Sequence, residues 1–255
     1  MLPVLGEVAL WLVRSRETTN FTYDISERNK HHLAAMLELV TGRPVSSIAS
    51  YINEALGDRD LAEHIRERTG TSRRAAISDL KARFGRRLAW YAAVRAAKPE
   101  VVVETGVDKG LGSVLLCAAL ARNAKEGRAG HYWGTDVNPE AGFLLSPPYS
   151  HFGTILYGDS IASLRALDAC IGIFINDSDH SPEYEYAEYK CVERKLAEDA
   201  IILGDNSHAS DSLMRFADET GRRFLFFREE PVGHWYRGGG VGFAFRQPSG
   251  WHPAG

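Results

Sequence analysis

Cysteine is scarce in this chain and carries no pattern. Cys117, Cys170 and Cys191 are the only three in 255 residues; they lack the short paired spacing of a zinc site and are too few for a disulfide framework. Each lies in or beside an apolar or helical stretch and is expected to be a buried, inert thiol. A long hydrophobic run is also missing. The opening MLPVLGEVALWLVRSRE is apolar but has no basic n-region and no small-residue cleavage pattern, and nothing reaches the roughly 18 apolar residues of a spanning helix. The expectation is a cytoplasmic protein with no membrane partner. Charge of one sign is lacking too: 30 basic residues face 33 acidic ones for a net charge of -3. No electrostatic footprint for nucleic acid follows, and a small molecule is the expected partner. There is no repeat of fixed period and no low-complexity tract. What remains, 44% hydrophobic and 25% charged residues, is ordinary globular composition with enough chain for a substantial core.

Strand-like texture is absent from residues 1 to about 97. Leu33, Met36, Leu37 and Val40 recur at helical spacing, as do Leu80, Phe84, Leu88, Tyr91 and Val94, while SSIASYINEALG opens on serines that can cap a helix and closes on Gly57. This first third is read as a set of helices. Within it, RETTNFTYDISERN is a polar and aromatic connector, with Phe21 and Tyr23 as contacts if it covers a crevice. The basic run from 66 to 87 is read as the solvated face of a helix pair.

From residue 100 the texture changes. EVVVET, HYWGTDV, GTILYGD, GIFIND and AIILGD alternate with segments long enough for crossover helices, which predicts an α/β fold: a Rossmann-like, doubly wound, mostly parallel sheet with helices on both faces. RFLFFRE and VGFAFR are joined by a connection too short for a helix, so they are expected to form an antiparallel pair at one edge. The domain division is a helical segment over 1–97 and a catalytic domain over 98–255.

The polar residues sit where the strands end. VVVETGVDKGLGS runs from a strand into a helix with Gly106, Gly110 and Gly112 at the turn; glycine there lets the backbone approach a ligand closely, and the helix that follows presents free N–H groups. Its spacing, G-x-x-x-G-x-G after Glu104, departs from the dinucleotide fingerprint and argues against a nicotinamide enzyme. Asp136 ends the second strand, where a carboxylate can bind ribose hydroxyls or simply make a turn. Asp159 and Ser160 follow the third. Because the carboxyl ends of the strands border one crevice in an open α/β sheet, these residues are expected to converge.

Glu104-Thr105-Gly106 with Gly110, then Asp136, then Asp159-Ser160, resemble the glycine loop and the two acidic turns of class I S-adenosylmethionine-dependent methyltransferases over roughly residues 98 to 246. The resemblance implies S-adenosylmethionine as cofactor, with Glu104 and Gly106 flanking its methionine part, Asp136 its ribose, and Asp159 with Ser160 its adenine edge. It also implies that helices before the first strand cover the crevice or make a homodimer.

FINDSDH and IILGDNSH each end an apolar run in polar groups. Asp177, Asp205 and Asn206 at neighbouring strand ends can supply three oxygen donors to one hard cation such as Mg²⁺; the alternative is that Asp205 and Asn206 only lead into a helix. The 28-residue separation of Asp177 and Asp205, with a polar residue three positions after Asp177, is similar to the metal-dependent O-methyltransferases of the catechol and caffeoyl-CoA type. That likeness implies a divalent-metal site on Asp177, Asp205 and Asn206. It departs at His180, which stands where those enzymes have lysine; DSDHS is closer to the relatives of macrocin O-methyltransferase. The implied activity is O-methylation of a small hydroxylated metabolite, with Asp177 and His180 catalytic. An imidazole can accept a proton at neutral pH, although His180 can equally cap the next helix. Asp179 can orient the imidazole or serve as a ligand. His208 reads as an exposed helix-start residue, and Trp235 and Tyr236 either wall the pocket or lie in an open hairpin loop. A metal-independent enzyme of the same fold, or a cofactor-binding module without turnover, is the alternative.

Overall fold

The computed structural model describes residues 9, 22–75, 78, 80–205, 207–234 and 236–247. Phe21, Asn206 and Trp235, singled out above, lie outside these residues.

Five parallel strands form most of one sheet: β2 (Val101–Thr105), β3 (His131–Asp136), β4 (Gly153–Tyr157), β5 (Ile171–Asn176) and β6 (Leu196–Gly204). The spatial order is β4-β3-β2-β5-β6-β9-β7, completed by β7 (Arg223–Arg228) and β9 (Gly240–Phe245). The expected antiparallel pair therefore does close one edge. The reversed strand, β9, lies one place in from that edge, pairing antiparallel with both β6 and β7. A two-stranded ribbon of β1 (Asp24–Ile25) and β8 (Pro231–Val232) ties the start of the described chain to the loop after β7.

The strands read as continuous apolar runs because helices cover both faces, and the side chains alternate between them. Val102, Ile173, Ile175, Ile201, Leu203 and Phe243 point into one buried cluster; Val103, Phe174, Ile202 and Ala244 point into the other. The first cluster is roofed by α1 (Glu27–Thr41), α2 (Val45–Gly57), α3 (Arg59–Thr71), α4 (Arg87–Ala97) and α5 (Leu111–Lys125); the second by α6 (Ser160–Ala166), α7 (Pro182–Val192) and α8 (Ser212–Glu219). The N-terminal helices thus share a core with the sheet, and α4 is buried along almost its whole length.

Two local expectations change. Leu80 and Phe84 precede α4 rather than lying on it, because that helix starts at Arg87; Phe84 is buried as a loop residue and Leu80 is exposed. Cys117 is buried and its thiol pushed well up by burial, but Cys170 is exposed. Among the described residues no helix is long and apolar enough to cross a membrane.

Candidate active site

The convergence of the strand ends has a backbone cause. Just past each strand, the next N–H donates to a carbonyl at the end of its neighbour: Gly106 to Thr135 (2.9 Å), Asp177 to Thr105 (2.9 Å), Asp205 to Asn176 (2.9 Å) and Gly158 to Asp136 (2.8 Å). The ladder runs one residue beyond the strands and sets the rim residues at one level. A cavity of about 950 Å³ opens over them, lined at one end by Val137, Gly158, Ser160 and Tyr184 and at the other by Arg86, Arg87, Asp177, Asp205, His208 and Tyr236.

The glycine loop lies between. Gly106 has φ +83°, and a Cβ there would stand 1.9 Å from the Asp177 carbonyl oxygen, so only glycine allows the loop to pass the next strand end. Gly110, at φ +88°, starts α5 against the Gly142 backbone. Asp136 braces this loop: Oδ2 accepts from the N–H groups of Val107 (3.0 Å) and Asp108 (2.9 Å), and Oδ1 from Asn138 (2.8 Å). A carboxylate offers about four acceptor positions. The backbone takes three of them, which leaves Asp136 one direct bond for a ribose.

Glu104 is 1% exposed beneath the loop, with Oε2 accepting from Ser113 (3.0 Å) and from the Tyr132 hydroxyl. Burial raises its pKa to about 7 against the opposing pull of Tyr132, Arg87 and Ser113. A carboxyl raised above its unfolded value keeps its proton in the folded state while the unfolded chain releases it, so stability falls as pH rises from about 4.5 to about 7 and is flat beyond. Glu104→Gln should remove that slope, which amounts to roughly 3 kcal/mol across the window. Denaturant titrations of both proteins at pH 5 and pH 8 measure it.

Asp159 does not line the cavity. Its Oδ1 caps α6 at the Ala162 N–H (2.7 Å) and its Oδ2 accepts from the Tyr184 hydroxyl (2.8 Å), which corrects the adenine-edge expectation: the turn that placed the acid there also consumes it as a helix cap. Ser160 does face the cavity, but it also donates to Glu188. Glu188 is a buried hub, accepting besides from Thr105 (2.8 Å), Ser178 (2.8 Å) and Asn176 and so tying together the ends of β2 and β5. Sequence reasoning missed it because it sits on α7, a segment read only as a crossover.

The two strand-end acids do meet. Asp177 and Asp205 are hydrogen-bonded to each other. Their countercharge, however, comes from the protein. The Arg86 guanidinium donates to both oxygens of Asp205, and Arg87 stands 3.6 Å from Asp177 Oδ2. Arg86 also donates to the Tyr23 hydroxyl (3.1 Å) and to Glu229 Oε1 (3.4 Å), and Tyr23 donates to Glu229 (2.7 Å). These arginines belong to the run read as a solvated helix face; Arg86 is instead 7% exposed. The signal available was FGRRLAW, where charge abuts an apolar helix without a break.

Burial and the neighbouring Asp205 push the Asp177 carboxyl well up. Burial acts against ionisation at Asp205 too, but the charge and the hydrogen bonds of Arg86 outweigh it and hold this carboxyl down at about 2. The environment thus favours the protonated form at Asp177 and the ionised form at Asp205. A divalent cation at this point would compete with arginine, because Arg86 already bridges both oxygens of Asp205 and Arg87 stands beside Asp177. Among the described residues no group of three His, Cys, Asp or Glu side chains is arranged to hold a metal.

His180 and His208 line the cavity and are exposed at its mouth. Asp179 also lines the cavity, its Oδ1 accepting from the Ser181 N–H (2.7 Å) ahead of α7. Tyr236 lines the cavity beside Tyr23, with ring centroids 5.9 Å apart; Tyr23 itself is fully buried, so from the N-terminal connector Thr22 rather than Tyr23 reaches the cavity wall.

This sheet order, with a glycine loop and an acidic rim at the carboxyl ends of the strands, is that of the class I, S-adenosylmethionine-dependent methyltransferases. Residues 103–207 match a family model described as a methyltransferase domain. Among solved structures the chain is similar to a methyltransferase from Geobacter sulfurreducens, at 18% identity and a TM-score of 0.54, covering 79% of this chain and 97% of that one. It is also similar to the O-methyltransferase TomG of Streptomyces achromogenes, involved in tomaymycin synthesis and solved with SAM (15% identity, TM-score 0.51, 74% and 90% covered). A third is the SAH-bound methyltransferase PaMTH1 of Podospora anserina (16%, 0.51, 75% and 88%). No curated protein is detectably similar to the chain.

Proposed function

We propose that the protein transfers a methyl group from S-adenosylmethionine to a hydroxyl oxygen of a small molecule without a divalent cation. The observation that carries this reading is the cavity itself, with a glycine loop at its floor, a carboxylate on each side of the loop, and a second polar end large enough for an acceptor. Two of the structural relatives were solved with SAM or SAH, and one of them is an O-methyltransferase.

The cofactor supplies an activated methyl on a sulfonium; the protein's work is to hold, align and deprotonate. Gly106 and Gly110 give the backbone close approach to the methionine part, and Glu104 places a carboxylate under it. Asp136 and Ser160 reach the ribose and base, and Val137, 75% exposed beside Asp136, offers an apolar face to a flat ring. The expected ligand set Asp177, Asp205 and Asn206 does not enter the reading as a metal site, because Arg86 occupies Asp205 and Asn206 lies outside the described residues. The N-terminal helices act as a lid in this reading, since they deliver Arg86, Arg87 and Thr22 to the acceptor end.

His180 is the general base. His180→Gln should lower kcat by about 10² to 10⁴ while leaving S-adenosylhomocysteine binding unchanged. Methyl transfer to a panel of hydroxylated acceptors, set against calorimetric cofactor binding, tests this; an undiminished rate passes the role to His208.

A further inference from the structure

We propose that Arg87 is the counter-ion for the acceptor's reacting oxygen, and that the acceptor is therefore an acidic hydroxyl compound, a phenol or an enol, rather than an aliphatic alcohol. The inference rests on the methyl-transfer reading and deepens it.

Arg87 opens α4 and lines the acceptor end of the cavity. Its side chain is 16% exposed, its guanidinium lies over the Trp90 ring at 5.2 Å, and its Nε is buried without a hydrogen-bond partner among the described residues. The nearest carboxylate oxygen, Asp177 Oδ2, is 3.6 Å away, beyond hydrogen-bond range. Asp205 does not compensate Arg87 either, because both its oxygens accept from Arg86. Glu104, Asp205 and Tyr23 feel the charge of Arg87 only through space. A largely buried cation that lines the cavity with a donor to spare is matched by an oxyanion.

The size of the effect fixes the substrate class. A bound zinc ion brings the pKa of water from 15.7 to about 7. A neighbouring arginine moves a titrating oxygen by about 1–3 units. That shift brings a phenol, near 10, within reach of a histidine base at neutral pH, but leaves an aliphatic alcohol far above it. The step balances without a further reactant: the imidazole takes the hydroxyl proton, an oxygen–carbon bond forms as the carbon–sulfur bond breaks, and the bond pair stays on sulfur as a neutral thioether.

The test needs no turnover. 4-Nitrophenol is titrated spectrophotometrically in the presence of protein saturated with S-adenosylhomocysteine. The bound phenol should ionise about 1–3 units below its value in buffer. Arg87→Met, which keeps the stem over Trp90, should abolish the shift, and Arg87→Lys should restore part of it. An unshifted phenol with wild type, or an equal shift with Arg87→Met, overturns the proposal. So does equal methylation of benzyl alcohol and phenol, an outcome that leaves the broader reading standing; that reading fails separately if S-adenosylhomocysteine does not bind.

Discussion

Replacing Arg86 with alanine should destabilise the protein by about 3–5 kcal/mol, the cost of leaving a buried ion pair without one partner. The side chain neutralises Asp205 through two hydrogen bonds and also reaches Oε1 of Glu229, a buried carboxyl whose Oε2 has no hydrogen-bond partner among the described residues. For a chain of this length the loss corresponds to a drop of roughly 10 °C in melting temperature. The effect has a pH signature. Asp205 has a folded pKa of about 2 against an ordinary 3.8, so the stability it confers through Arg86 is complete above about pH 4 and lost as pH falls toward 2. The gap between wild type and Arg86→Ala should therefore narrow on acidification. Adding Asp205→Asn to Arg86→Ala should recover part of the loss, because the uncompensated carboxylate disappears; thermal melts of wild type, the two single variants and the double variant measure the coupling.

Gly106→Val should abolish cofactor binding. Its Cβ would fall inside the Asp177 carbonyl, 1.9 Å away, at a φ of +83° that a β-branched residue scarcely adopts. Either the loop leaves β5, which breaks the Asp177 to Thr105 hydrogen bond, or the strand ends part. Both outcomes open the floor of the cavity. The two core clusters are built from many strand and helix residues along the whole sheet, so the variant should remain folded by circular dichroism while losing S-adenosylhomocysteine binding altogether.

The sheet was legible from the sequence because both faces are covered. Continuous apolar strands such as GIFIND and AIILGD can only be inner strands of a parallel sheet, and their polar ends then had to share a rim, as Asp177 and Asp205 do. What neutralises those ends was not legible. The partner of Asp205 lies 119 residues earlier, and although FGRRLAW sets its two arginines directly against an apolar helix, nothing in the sequence says which distant carboxylate they meet. Leu80 and Phe84 kept helical spacing up to α4 without being helical, since spacing alone does not show where a chain turns. Asp159 and Asp136 show the opposite limit. Each stands at the expected strand end, but Asp136 is bonded by three local backbone N–H groups and Asp159 by one backbone N–H and the Tyr184 hydroxyl, and only coordinates record such use.

The central claim is that this crevice binds the methyl donor's scaffold by itself, with arginine in place of a metal. Calorimetric titration of the wild-type protein with S-adenosylhomocysteine in metal-free buffer containing a chelator tests it most directly. Saturable binding to a single site, unchanged by added Mg²⁺ and lost in Gly106→Val, is the predicted result; no heat of binding, or binding that appears only with Mg²⁺, contradicts it.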